Sequence, residues 1–200
     1  QRVVREVCLT TGATALHPAT TFEPLSLSNN RMRQCFGPRT RLLLVGAGQL
    51  AQTLSSLALA MDYEVVVTDP REQLINDWPG PPVEKILGLP DEVILQQQVD
   101  ADTAIITLTH DPRIDDMALL EALESKAWYV GALGSLRTSD TRRARLRSLG
   151  LNDAAIARLH APVGLVIGSK TPWEIAVAIM AELTQERHQN TAGAIPAPNR

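Results

Sequence analysis

The sequence predicts an α/β fold in which helices cover both faces of a doubly wound, mainly parallel sheet. Two observations support this: short apolar runs alternate with longer segments of helical period from Arg41 onward, and the runs are rich in Val, Ile and Leu, which is typical of strands buried on both faces. We expect this domain at 39–188. Residues 1–38 are interpreted as an N-terminal extension or the remnant of an upstream domain, and 189–200 as a flexible tail.

The strands are expected where the apolar runs stop at Gly, Asp or Pro. They lie at 42–45, 64–68, 83–87, 103–108 and 128–130, with a sixth strand-like piece at 163–167. Strands that alternate with helices are joined by right-handed crossovers, so these runs predict one parallel sheet.

The helices are expected where apolar residues recur at helical spacing or where a start signal stands. They lie at 50–61, from 90 onward, and at 115–123, 139–149, 153–160 and from 171 onward. The last begins Thr171-Pro172-Trp173-Glu174, which combines a capping box with proline at the first helical position. This is the clearest helix start in the chain.

Composition excludes several classes of protein. The 200 residues are 44% hydrophobic and 20% charged with a net charge of −3, which indicates a globular domain and argues against disorder and against nucleic-acid binding. No apolar run is long enough to span a membrane, and no signal peptide is recognised. Cys8 and Cys35 form no disulfide framework, and the four histidines lie far apart, so we expect a cytoplasmic protein without a metal site.

The sharpest motif is Gly46-Ala47-Gly48-Gln49-Leu50-Ala51, a G-x-G-x-x-A sequence between an expected strand and an expected helix. The first glycine permits a tight turn, the second lets a pyrophosphate approach the backbone, and the small residue at the end lets the helix pack closely. The free N–H groups at the helix start favour an anion. The motif predicts a Rossmann-like nucleotide site that uses residues 46–50.

Asp69 and Arg71 extend this site to the end of the second strand. Asp69 lies 23 residues after Gly46, where a carboxylate accepts hydrogen bonds from a ribose diol and favours NAD over NADP. Arg71 weakens that preference, because its guanidinium can reach a 2′-phosphate.

Two further segments end at the same edge of the expected sheet. Thr109 and His110 follow the strand at 103–108 and face the glycine loop across the switch point. His110 is the one candidate for acid–base work; the alternative is that this segment only caps the next helix. Gly131 and Gly134 follow the strand at 128–130, where they either open space for a ligand or form a tight turn.

The helix at 139–149 is rich in arginine, and a glycine-rich segment with Lys170 precedes the last helix. The arginines form either a docking face for an acidic partner or a solvated surface. Lys170 is a weaker candidate for a ligand contact.

Five motifs in order resemble the XdhC/CoxI family of accessory proteins for xanthine dehydrogenase and related molybdenum hydroxylases. They stand at 46–49, 69–72, 108–115, 129–135 and 167–176 and belong to the family's C-terminal Rossmann domain. The resemblance implies a homodimeric chaperone that binds molybdenum cofactor, supports its sulfuration and delivers it to the apo-hydroxylase. A cysteine desulfurase is a further partner that this sulfuration implies. It also implies that the family's usual N-terminal domain is missing or reduced to residues 1–40.

Two other functions remain open on the residues alone. One is an NAD(P)-dependent oxidoreductase with His110 as its proton-transfer group; the other is a nucleotide-sensing regulatory module with a similar glycine loop and acidic residue. The sequence leaves the ligand open between molybdopterin and a nicotinamide dinucleotide.

Overall fold

The structure is a computed structural model that describes residues 2–19, 23, 25–37 and 40–192. It contains two sheets. Residues 2–36 contribute a four-stranded antiparallel sheet, and residues 40–160 contribute a six-stranded parallel sheet.

The antiparallel sheet is built from two hairpin-like pairs around a central contact. Its strands are β1 (Arg2–Cys8), β2 (Thr14–Ala19), β3 (Ser26–Ser28) and β4 (Arg31–Phe36), in the order β2-β1-β4-β3. Val4 of β1 pairs with His17 on one side and Cys35 on the other. Polar and apolar residues alternate only in short stretches of this segment, so its sequence carries no sustained strand period.

The parallel sheet confirms the predicted fold class. Its strands are β5 (Thr40–Val45), β6 (Tyr63–Asp69), β7 (Glu84–Leu87), β8 (Thr103–Thr107), β9 (Tyr129–Ala132) and β10 (Leu159–His160). They run in the order β10-β9-β8-β5-β6-β7, and all pairs are parallel. The chain reverses its direction of winding between β5 and β8, so a crevice opens at their carboxyl ends.

Helices cover both faces of this sheet. They are α1 (Gln49–Ala60), α2 (Glu72–Asn76), α3 (Pro90–Gln96), α4 (Pro112–Glu124), α5 (Leu136–Ser148), α6 (Asp153–Ala157) and α7 (Pro172–Ala192). Alternate residues of β5 enter two cores: Leu42 and Leu44 pack toward α1 and α7, whereas Leu43 and Val45 pack toward α3, α4, α5 and α6. Burial on both faces explains the continuous apolar run.

Two expectations near the end of the sheet are wrong. The segment at 163–167 is not a strand: Gly164 and Gly168 have φ values of 99° and 80°, and Val166 is fully exposed. The helix expected at 153–160 ends at Ala157, and β10 supplies the sixth strand instead. An apolar run is not evidence of burial when flanking glycines turn the backbone.

The last helix begins as predicted. The Glu174 N–H donates to Thr171 Oγ1 at 3.3 Å, and the Glu174 carboxylate accepts from the N–H groups of Lys170 and Thr171 at 2.8 and 2.9 Å. The helix continues to Ala192, beyond the expected start of the tail at 189. The rest of that expected tail, 193–200, lies outside the described residues. No helix in the described part of the chain is long and apolar enough to cross a membrane.

Candidate functional site

The glycine loop follows β5 and turns the chain into α1. Gly46 has a φ of +110°, and its N–H donates to the carbonyl of Thr68 at 2.8 Å. A Cβ at this position would lie 2.8 Å from Thr109 Cγ2 and 3.2 Å from the Thr109 backbone nitrogen. Both the backbone conformation and the close approach of the β8 connection therefore require glycine here.

The start of α1 is open to the crevice. Gly48 is the residue before the helix, no side chain caps the first turn, and that turn carries no acidic residue. A Cβ added at Gly48 would meet no atom within 4 Å. The first N–H groups of α1 therefore remain available to an anion, and the helix dipole adds to that preference.

A cavity of about 290 Å³ lies between the glycine loop, the β6 and β8 connections and the start of α7. Its lining includes seven of the predicted site residues: Gly46, Gly48, Gln49, Leu50, Arg71, Thr109 and His110. Lys170, Pro172 and Ile175 close the opposite wall. We call this cavity the glycine cleft.

Ala47 and Asp69 lie behind the glycine cleft instead of lining it. Asp69 is fully buried, and Oδ2 accepts the N–H of Ala47 at 2.8 Å. The Arg71 guanidinium grips the same carboxylate through Nε at 2.8 Å and Nη2 at 2.7 Å. Burial opposes ionisation of Asp69, but the donors from Arg71 and Ala47 outweigh it and hold the pKa of this carboxyl below its usual value.

This arrangement bears on the ribose contact predicted for Asp69. Both of its oxygens already accept hydrogen bonds from the loop and from Arg71. The carboxylate holds the glycine loop against the end of β6, while the half-exposed Arg71 side chain faces the cleft. A ribose diol would have to displace Arg71 to reach Asp69.

A buried ion pair supports the β8 connection from below. Asp115 Oδ1 accepts from Thr109 Oγ1 at 2.6 Å, and Oδ2 accepts from Arg142 Nη2 at 2.7 Å. Burial raises the pKa of Asp115 to about 6, although Thr109 and Arg142 favour its ionised form. The network fixes Thr109, which in turn packs against Gly46.

A second cavity of about 370 Å³ adjoins the glycine cleft and shares Thr109, His110 and Leu133 with it. The start of α5 forms its far wall, through Gly134 and Ser135. Ser135 caps α5 by accepting the N–H of Thr138 at 3.1 Å. The predicted site residue Gly134 therefore lines this adjoining cavity.

Gly131 lies apart from both cavities. It sits inside β9, where a Cβ would come within 2.7 Å of Val163 and 2.9 Å of the Tyr129 ring. This glycine permits close packing between β9 and the chain that follows β10. The structure gives it a packing contact, and the ligand role predicted for it stays a prediction.

His110 is exposed at the rim between the two cavities. The next residue, Asp111, caps α4 by accepting the N–H of Arg113 at 2.9 Å. The Arg113 guanidinium also holds this carboxylate, and together these donors lower the pKa of Asp111 to about 2. The segment therefore both caps the helix and places an imidazole at the cleft.

Sequence reasoning missed Asp115 and Arg142. Both lie in helices whose charged residues look solvated, and Arg142 stands among the arginines interpreted as a surface. Most of those arginines are paired within the chain: Arg145 Nε donates to Asp116 at 2.6 Å, and Arg147 Nη2 to Asp153 at 2.7 Å. No spacing along the chain signals this pairing, because it depends on how α4 packs against α5.

The fold and the site define the class of protein. A glycine loop after the central strand of a doubly wound sheet, with a cleft at the switch point, is the arrangement of a Rossmann nucleotide-binding domain. Residues 42–183 match the family model described as the XdhC Rossmann domain, and the chain belongs to the XdhC family.

Similar proteins agree with this membership. The chain is 31% identical over 162 residues to the molybdenum cofactor insertion chaperone PaoD of Escherichia coli (strain K12), a match that covers 80% of this chain and 45% of PaoD. It is 30% identical over 161 residues to a probable xanthine dehydrogenase subunit of Bacillus subtilis (strain 168), covering 80% of this chain and 47% of that protein. The chain thus spans less than half the length of these relatives.

A solved structure described as a xanthine dehydrogenase from Bacillus halodurans has the same fold. It superposes with a TM-score of 0.70 at 24% identity, over 98% of this chain and 65% of the other. At this identity the likeness extends to the fold alone.

Proposed function

We propose that this chain is a maturation factor that binds molybdenum cofactor, or a nucleotide, and assists insertion of the cofactor into a xanthine dehydrogenase-type molybdenum hydroxylase. The observation that carries the proposal is the glycine cleft, whose open helix start and two cationic side chains suit a phosphorylated ligand. The name of one relative, the molybdenum cofactor insertion chaperone PaoD, supports molybdenum cofactor as that ligand.

The residues present fit the phosphate end of such a cofactor. The N–H groups at the start of α1 are available, and the space beyond Gly48 that a Cβ would enter is open. Arg71 and Lys170 line the cleft from two sides. Gln49, Thr109 and His110 would provide hydrogen bonds to a polar ring in the adjoining space.

Molybdenum itself finds no sulfur ligand in the described lining of the two cavities. Cys8 and Cys35 are free thiols on the antiparallel sheet. When bound, the cofactor would supply its own metal and dithiolene chemistry, and this chain's residues would hold its phosphate and ring.

The positions of the acid–base groups near the glycine cleft agree with a binding function. His110 is exposed at the rim. Asp69 is buried behind the glycine cleft, and Asp115 is buried in the lining of the adjoining cavity; the oxygens of both carboxylates already accept hydrogen bonds. The NAD(P)-dependent oxidoreductase is the second candidate, because the glycine loop has the geometry that dinucleotides use and His110 stands beside it.

The partners follow from the same proposal. The main partner is the apo-hydroxylase, and a cysteine desulfurase that sulfurates the cofactor is a further one. A homodimer in the cytoplasm is the expected state of the working protein.

The test deletes the gene and then restores it on a plasmid, as the full-length wild type or as a variant. Without the protein, the target hydroxylase should be expressed at its normal level but should contain less molybdenum and pterin. Gly48→Asp, which places a carboxylate at the phosphate site, should fail to restore loading, whereas Arg147→Gln, at the far end of α5, should restore it. Full cofactor loading in the deletion strain would overturn the proposal. NAD(P)-linked turnover of a small substrate by the pure protein would establish the oxidoreductase instead.

A further inference from the structure

The end of β6 is where a Rossmann domain selects between a free ribose and a phosphorylated one. An acidic side chain there accepts from the ribose hydroxyls, and an arginine there takes a 2′-phosphate. This chain has both residue types, Asp69 and Arg71, and the structure shows which hydrogen bonds each of them makes.

Asp69 has no free oxygen directed at the cleft. It is fully buried, and its two oxygens accept from the Ala47 N–H, the Arg71 N–H and two guanidinium nitrogens of Arg71. A ligand hydroxyl could donate to this carboxylate only by displacing the bidentate Arg71–Asp69 ion pair. Charge-assisted hydrogen bonds of this kind are stronger than those between neutral groups.

Arg71 is positioned by the same ion pair. Its Nε and Nη2 atoms face Asp69, so the Nη1 end of the guanidinium makes no hydrogen bond within the described residues. The side chain is 49% exposed and lines the glycine cleft. A guanidinium that one carboxylate holds in a fixed orientation presents its remaining donors to a second anion with little loss of rotamer freedom.

We propose that the glycine cleft selects a ligand that carries a phosphate monoester at Arg71, in addition to the phosphate that the loop holds, and disfavours a ligand with a free vicinal diol there. Asp69 is the positioning residue that orients the guanidinium. This selectivity is opposite to the NAD preference that Asp69 suggests from the sequence. The inference rests on the nucleotide alternative of the proposed function and names the ligand class of the same cleft, because molybdopterin carries one phosphate and lacks the second that Arg71 would hold.

The test compares NADP⁺ with NAD⁺ as probes, because the two differ by one phosphate monoester on the adenosine ribose. Isothermal titration calorimetry of the full chain at low salt should show NADP⁺ binding about tenfold or more tightly than NAD⁺, the gain of a charge-assisted pair. Arg71→Gln should abolish this ratio mainly through weaker NADP⁺ binding. Arg71→Lys, which keeps the charge but not the fork, should retain part of it.

Arg147→Gln is the matched control, because Arg147 is exposed, pairs with Asp153 and lines neither cavity. It removes the same charge and should leave the ratio unchanged. Equal affinities, tighter NAD⁺ binding, or no binding of either probe by the wild-type chain would overturn the inference. The measurement uses purified protein without a hydroxylase, so selectivity and maturation can fail independently.

Discussion

At the scale of single residues, the two glycines of the loop have different duties. Gly46 has a positive φ and lies against Thr109, whereas Gly48 has a φ of −79° and borders open space. This difference agrees with the roles that the motif predicts, a tight turn for the first glycine and close approach of a ligand for the second. The structure shows that the fold requires glycine at position 46, whereas no neighbouring atom requires it at position 48.

This difference gives a paired prediction for alanine substitutions. Gly46→Ala should lower the free energy of unfolding by about 1–3 kcal/mol, because it combines a strained φ with contact against backbone atoms. Gly48→Ala should cost under about 1 kcal/mol, since its Cβ meets no atom and alanine is only a poorer cap. Urea denaturation measures both, and equal costs would contradict the assignment.

Asp69 gives a prediction about pH. Its pKa is depressed in the folded state, so the ionised carboxylate contributes stability above the unfolded pKa near 4, and that contribution is lost as the pH falls through the folded pKa. Asp69→Asn should therefore cost about 1–3 kcal/mol at pH 7. The cost should shrink below about pH 4.

Denaturant titrations of the wild type and of Asp69→Asn, at pH 7 and at pH 3, check this pH dependence. Asp153→Asn is the control, because Asp153 is mostly exposed and pairs with an exposed arginine, so its cost should be small at both pH values. A cost for Asp69→Asn that is the same at both pH values would show that its carboxylate has an ordinary pKa in the folded protein.

At the scale of elements, the sequence predicts the long buried strands better than the short or irregular segments between them. The buried strands at 42–45 and 103–108 are visible because burial on both faces demands continuous apolar residues. β10 has two residues, so no period can indicate it. The apolar pattern of Val166 and Ile167 resembles that of a strand, but both residues are exposed, and the positive φ values of Gly164 and Gly168 are incompatible with a strand there. Local pattern reports burial only when the backbone is regular.

The candidate site divides in the same way. The glycine loop and the acidic residue at the end of β6 follow from spacing, because both stand at fixed places in a βαβ unit. The pairing of Asp115 with Arg142 depends on how α4 meets α5, which spacing along the chain does not encode. The orientation of Arg71 likewise depends on the three-dimensional position of the Asp69 carboxylate.

The α4–α5 contact yields the prediction at this scale. Arg142→Met removes the guanidinium beside the buried Asp115 and leaves that carboxylate without its partner, so we expect a loss of about 3–5 kcal/mol. Arg147→Met, in the same helix, breaks an exposed pair and should cost under about 1 kcal/mol. Thermal and urea unfolding of the two variants measures the difference. Similar costs would mean that the buried pair adds nothing beyond a surface ion pair.

At the scale of the whole molecule, the last helix unites the sheet. Glu182 of α7 accepts from Tyr129 Oη at 2.9 Å, lies 3.1 Å from His160 Nδ1 and accepts the N–H of Gly164. It therefore joins α7 to β9, to β10 and to the loop after β10. The same helix begins at the glycine cleft, so the wall that carries Lys170 is anchored to the far edge of the sheet.

The two sheets differ in what they contribute to this unit. Among the described residues, the two hydrophobic cores are built from 42–183 and include none from the four antiparallel strands. Several apolar side chains of those strands are exposed, Leu16, Leu27 and Phe36 among them. The site lining, the glycine loop and α7 all belong to the parallel sheet and its helices. We therefore propose that residues 39–188 are an independent folding unit.

The last prediction tests that independence. A chain that begins at residue 39 should unfold cooperatively, with a free energy of unfolding within about 1 kcal/mol of that of the 200-residue chain, because every described residue of the two hydrophobic cores remains. It should also keep the NADP⁺ and NAD⁺ affinities of the longer chain, since every described lining residue of the glycine cleft remains. A chain that begins at residue 46 is the control: it lacks β5, the central strand, and should not fold. A loss of several kcal/mol on removing residues 1–38 alone would show that the antiparallel sheet is part of the same cooperative unit, and circular dichroism with urea titration distinguishes the outcomes.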